Sequence, residues 1–181
     1  MTPVRQADLR RRPSPPTFAA ELEKRPFDAD GIDSLVNNAG INASGWKTLT
    51  ESPTAELREV LETNLFGAIW ATKALLPLLR KGKGKQLLFM SSYAGSKGGQ
   101  VSALPIVDAI SKVALNMAAI KFAKELEPEG FVTEIDKPGE PEATDEVEDA
   151  VAASLKNLFL KPLTKEDNAK LYNYDGTEIP W

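Results

Sequence analysis

The run QLLFMSS, residues 86–92, carries no charge and shows no alternation of polar with apolar side chains. A strand of that kind must be covered on both faces, which a sheet with one wet face cannot provide. Similar segments recur along the chain. GIDSLVNNAG predicts a buried strand over Asp33–Asn37 that enters a loop with Gly40 at its tip, GFVTEID a third strand, and AKLYNYDG a last one. Helix-length segments separate them. Ser52 reads as an N-cap with Pro53 at the first helical position, and the helix runs to about Arg80. Its second half, LFGAIWATKALLPLLR, is apolar on more than one face. Pro105 opens a further helix to about Leu126, again apolar nearly all round. Thr144 is the expected N-cap of another, with acids in its first turn that suit the helix dipole.

Strands alternating with helices of this length imply right-handed βαβ units and a parallel sheet with helices on both faces. The expected fold class is therefore α/β, a partial doubly wound, Rossmann-like sheet of about four strands. Such folds pair two βαβαβ halves, and the strands read here supply the second; the first βαβ half is expected to be missing. Residues 1–16 read as a flexible, basic and Pro-rich tail, and residues 17–181 as one incomplete domain, opening on a short amphipathic helix from about Thr17. The tail has no apolar core of a secretory signal. Its arginines and single acid faintly suit an organelle transit peptide, but a solvated tail is the expectation, with a cytoplasmic location.

Composition narrows the chemistry. The chain has neither Cys nor His, so disulfides, thiolate chemistry and the commonest general base and metal ligand are excluded; no metal site is expected. A net charge of −4 gives no reason to expect nucleic acid or an anionic membrane as partner. The longest apolar run, Leu65–Leu79, is broken by Lys73 and Pro77, so no membrane span is expected.

Four segments in one order, NNAG at 37–40, NLFGA at 64–68, SSYAG at 91–95 and ISKVALNM at 110–117, resemble the short-chain dehydrogenase/reductase family in its sniffer-like carbonyl-reductase branch. The resemblance covers roughly residues 28–181. It implies NADP or NAD as cofactor, with Asn38, Ala39 and Gly40 shaping its pocket, Pro138 and Gly139 covering it, and Lys112 on the nicotinamide ribose. It implies that Ser92 binds a substrate carbonyl, with Ser91 the neighbouring alternative, and that Asn64 holds a water linking the lysine to solvent. Asn64 reads equally well as a buried Asn bonded within its own helix. The resemblance also implies a homodimer through helices 54–80 and 105–126, where two-sided apolar surfaces suit a bundle.

The pattern has gaps. Nothing before Asn37 resembles the family's Gly-rich phosphate turn, which makes cofactor binding doubtful. The position of the family's catalytic tyrosine, four before Lys112, holds Asp108. A phenol titrates near pH 10 and can donate a proton at neutral pH, whereas a carboxyl near 3.9 cannot, still less beside Lys112 at i+4. Asp108 and Lys112 read as a helix ion pair. Tyr93 and Lys97 repeat the tyrosine–lysine spacing but fall in a Gly-rich loop, where no helix holds both on one face. Between Glu134 and Asp149 stand eight acids against one lysine, a poor neighbour for a pyrophosphate. The expectation is a family relative without redox turnover, a binding or interaction module or a truncated isoform. The alternative is an NAD(P)(H)-dependent oxidoreductase acting on a carbonyl or alcohol.

Overall fold

A computed structural model describes residues 31–42, 47–96, 106–137, 163–173 and 175–180. Four strands form one sheet in the order β1 (Ser34–Asn37), β2 (Gln86–Met90), β3 (Val132–Lys137) and β4 (Lys170–Asn173). All three pairings are parallel, with Leu35 opposite Leu87, Phe89 opposite Ile135 and Ile135 opposite Leu171. This is the Rossmann-like parallel sheet the apolar runs predict. The strand Gln86–Met90 falls where the sequence predicts it, the other three shift by one to three residues at their ends, and β1, expected to be buried, alternates between exposed and half-buried positions.

The first helical run consists of α1 (Thr54–Leu61), a π-helical turn (Glu62–Gly67) and α2 (Ala68–Lys81). After β2 comes α3 (Ile106–Leu126). Side chains alternate across a strand, so Leu87, Phe89, Ile135 and Leu171 share one sheet face. There they form the core with Leu75, Leu78 and Leu79 of α2 and Leu115, Ala119 and Leu126 of α3. Phe89 stacks on Phe122 at 6.0 Å between ring centres. Both described crossover helices therefore cover the same face. The opposite face is also buried, at Leu88, Met90, Glu134 and Asp136.

The start of α1 corrects one expectation. Pro53 is the N-cap, and Ser52 makes no capping bond. The Ser52 hydroxyl donates instead to the carbonyl of Thr48, at 2.8 Å, within a turn that Glu51 also closes by accepting from the Thr48 amide and hydroxyl. A competing local turn has taken the hydroxyl. The helices expected from Thr17 and after Thr144 lie outside the described residues, as does Pro105.

Where α2 returns to the sheet, backbones approach closely. Gly82 donates to Leu78 O, and the Asp33 carboxylate accepts from the amides of Lys83 and Gly84 at 2.7 and 2.9 Å. Those two amides, Gly84 first, hold Asp33 below the usual carboxylate range. A Cβ on Gly82 would lie only 2.0 Å from the Ile32 carbonyl oxygen. Gly130, by contrast, has φ +84° with open space beside it, the nearest atom being Lys85 Cδ at 4.0 Å. Gly82→Ala should therefore cost roughly 2–4 kcal/mol in urea unfolding, and Gly130→Ala about 1 kcal/mol. Equal losses would show that the close approach at Gly82 is not a constraint.

Candidate functional site

In a parallel sheet ligands collect at the carboxyl ends of the strands, here after Asn37 and Met90. Asn38, Ala39 and Gly40 follow β1 and are exposed. Behind them stands Asn64, on the π-helical turn and only 1% exposed. Its side-chain oxygen accepts from the Ile41 amide at 2.8 Å. Its NH₂ donates to the Ile41 carbonyl at 3.0 Å and to Ser111 Oγ on α3 at 2.9 Å. Ser111 in turn donates to the Asp108 carbonyl at 2.8 Å. Asn64 is thus not bonded within its own helix. It ties the strand-end loop to α3, and an otherwise unfavourable residue has its reason. Single π-helical turns of this kind often mark functional positions.

Lys112 reaches from α3 to the same place. Its ammonium donates to the Met90 carbonyl at 2.7 Å. Burial pushes its pKa down, and the Asp108 charge, a smaller effect, pulls it back up. The helix ion pair expected from i, i+4 spacing is thus a half-buried lysine anchored to backbone, with Asp108 acting on it through its charge. Gly40 closes the group: a Cβ there would sit 3.4 Å from Asn64 Oδ1 and 3.6 Å from Lys112 Nζ.

The two serines after β2 separate in role. Ser91 is buried, and its hydroxyl donates to Asn116 Oδ1 while Asn116 donates to the Gly95 carbonyl at 3.0 Å. Ser92 is half-buried, and its hydroxyl accepts from the Ala94 amide at 3.2 Å, capping the short turn Tyr93–Gly95. Ser91 is thus structural, and Ser92 the more accessible of the pair. Gly95 is packed so tightly that a Cβ would meet Asn116, Ser91 and Lys112 within 3.0 Å. Tyr93 is exposed on that turn, while Lys97, Pro138 and Gly139 lie outside the described residues. Among the described residues no group of three or more carboxylates could hold a metal ion.

The arrangement thus brings Gly40, Asn64, Asp108 and Lys112 together. Ser111 and Asn116 complete it; both stand within the ISKVALNM segment, yet the resemblance assigns neither a role of its own. Their signal was available: both are polar residues inside a helix otherwise apolar nearly all round.

The family model for short chain dehydrogenases matches residues 3–152. The chain belongs to that family. C-signal of Myxococcus xanthus is 32% identical over 157 residues, covering 83% of this chain and 93% of that protein. Carbonyl reductase Sniffer of D. melanogaster superposes with a TM-score of 0.88 at 29% identity, over 98% of this chain and 77% of that one. A carbonyl reductase from chicken fatty liver, solved with NADPH bound, shares the fold at a TM-score of 0.85 and 24% identity, over 97% of this chain and 75% of that one. Among the described residues of this short-chain dehydrogenase relative, no helix is long and apolar enough to cross a membrane.

The Asn64 clamp makes a specific prediction. Asn64→Ala leaves the Ile41 amide and carbonyl and the Ser111 hydroxyl without that partner, and should cost roughly 2–4 kcal/mol of unfolding free energy. Hydrogen exchange at the Ile41 amide should quicken well beyond what that global loss explains. Unchanged local exchange would mean that the loop is held by something else.

Proposed function

We propose that the chain is a short-chain dehydrogenase relative that keeps the strand-end site but does not run the family's redox reaction. The observation that carries this reading is Asp108. It lies one turn before Lys112, where the resemblance expects the phenol, and its charge acts on that lysine. A reductase must hand a proton to the alkoxide that forms as hydride arrives. An ionised carboxylate beside a lysine has none to give at neutral pH, and its side chain is shorter than a phenol. What remains suits binding: an exposed loop at Asn38–Gly40, a half-buried amine and a strand-end hydroxyl.

The surviving groups also support a second reading, an NAD(P)(H)-dependent reductase of a carbonyl substrate. Asn38, Ala39, Gly40 and Lys112 fit the nicotinamide-ribose end of a dinucleotide, because Gly40 keeps the space beside Lys112 Nζ and Asn64 Oδ1 free of a Cβ. When bound, the dinucleotide would supply hydride. Ser92 would orient the carbonyl, and Lys112 would hold the ribose. No tyrosine stands at the donor position.

NADPH oxidation in the presence of an aromatic aldehyde separates the two. The wild-type chain should show none above background, while Asp108→Tyr restores the missing donor and should turn over at least about a hundredfold faster. Measurable turnover by the unaltered chain would sink the non-redox reading.

A second copy of the chain is the partner we propose. The first helical run exposes Phe66 and α3 exposes Val113 and Met117, at 40, 47 and 53%. Phe66 is stiffened by stacking on Trp70 at 5.8 Å. Sedimentation equilibrium should find a dimer that Met117→Glu weakens by at least about tenfold in dissociation constant, the cost of burying a charge at an apolar contact. A monomer at high concentration would refute this partner.

A further inference from the structure

We propose that Lys112 is an amine nucleophile that forms a reversible imine with small aldehydes and ketones entering over the Gly40 loop. The inference rests on the non-redox reading, since a nicotinamide ribose would otherwise occupy the lysine.

Four observations converge on it. Lys112 Nζ stands at the carboxyl end of β2, held by the Met90 carbonyl at 2.7 Å. That bond uses one N–H, so a neutral amine keeps it while its lone pair stays available. The amine faces the loop at a glycine, where a Cβ would come within 3.6 Å. Any larger residue there would narrow the approach. Burial lowers the ammonium's pKa, the usual route to a nucleophilic lysine, although Asp108 opposes it in part. Finally, the neighbouring groups suit carbonyl chemistry. Ser92 is half-buried at the end of the same strand, and Asp108 lies one turn before the lysine on α3.

The reaction balances without a redox partner. The neutral amine attacks the carbonyl carbon and the carbonyl oxygen takes up a proton, giving a carbinolamine. Loss of that oxygen as water leaves the C=N bond, so one water is released for each imine formed. Asp108 can carry the proton from the attacking nitrogen to the departing oxygen. A carboxylate that cannot act as the family's acid thereby becomes a proton carrier for a different step.

The test is reductive trapping on the intact chain. The protein is incubated with propanal and sodium cyanoborohydride at neutral pH, and propylated lysines are located and timed by peptide mass spectrometry. Lys112 should be modified at least about tenfold faster than the exposed Lys73 and Lys121. Lys112→Arg should remove that labelling while leaving Lys73 unchanged, with the fold retained by circular dichroism. Labelling of Lys112 no faster than of Lys73 would overturn the proposal and needs no variant to fold. NADPH consumption with propanal would overturn the underlying non-redox reading instead, so the two failures are told apart.

Discussion

The amide of Asn64 is the constraint around which the site is built. It satisfies both the donor and the acceptor of Ile41 and reaches Ser111 on α3, joining three elements far apart in sequence. Asn64 is itself only 1% exposed, and its bond to Ser111 forms out of competition with water, where an unmade bond is costly. Removing Asn64 or Ser111 strands a buried polar group, so the π-helical turn and α3 hold one relative arrangement and carry the half-buried Ile41 loop with them. Through Ser111 the same network reaches the Asp108 carbonyl, and so the turn of α3 that presents Lys112.

A second buried network fixes the other wall. Ser91, Asn116 and Gly95 lock the turn that presents Ser92, and Gly95 has no room for a side chain. Hydrophobic burial supplies the driving force for α3 to lie on the sheet, through Leu115, Ala119 and Leu126. It does not choose the helix's rotation or translation with the precision a site needs. Two polar side chains inside that helix, Ser111 and Asn116, do so because each has few ways to be satisfied.

How much of this was legible in the sequence follows the same division. Apolar runs such as Gln86–Met90 announce buried strands because periodicity and burial are local properties of the chain. The extent of α3 was legible in the same way, but its core face was not, because the helix is apolar nearly all round. The cap at Ser52 was not, because its hydroxyl had an equally local alternative at Thr48. The π-helical turn was not, because α and π turns differ by one residue in hydrogen-bond spacing and no periodicity distinguishes six residues of one from the other. The site was half legible. Lys112 and Asn64 were found through motif resemblance, but the partners of Asn64 lie 23 and 47 residues away, and pairing at such range is a property of the folded sheet. The choice between Ser91 and Ser92 turned on burial, which two adjacent serines at a strand end do not reveal.

On the non-redox reading proposed above, Asp108 changes the chemistry of the site without changing its architecture. Even partial burial of a lysine at the end of a parallel strand is costly, and its charge needs compensation. The Met90 carbonyl supplies a hydrogen bond and Asp108 an opposite charge, where a phenol would have supplied only a dipole. Asp108 therefore eases the burial of the lysine, and in the non-redox reading we propose it also stands where a reduction would need its acid. The loop opening at Gly40 and the clamp at Asn64 do not depend on which residue stands at 108, so they persist. In the reading proposed above, a site that keeps its amine but has no proton donor for an alkoxide is better suited to exchanging water for an amine at a carbonyl carbon than to adding hydride there. In that proposal the carboxylate that cannot serve the one reaction carries the proton in the other.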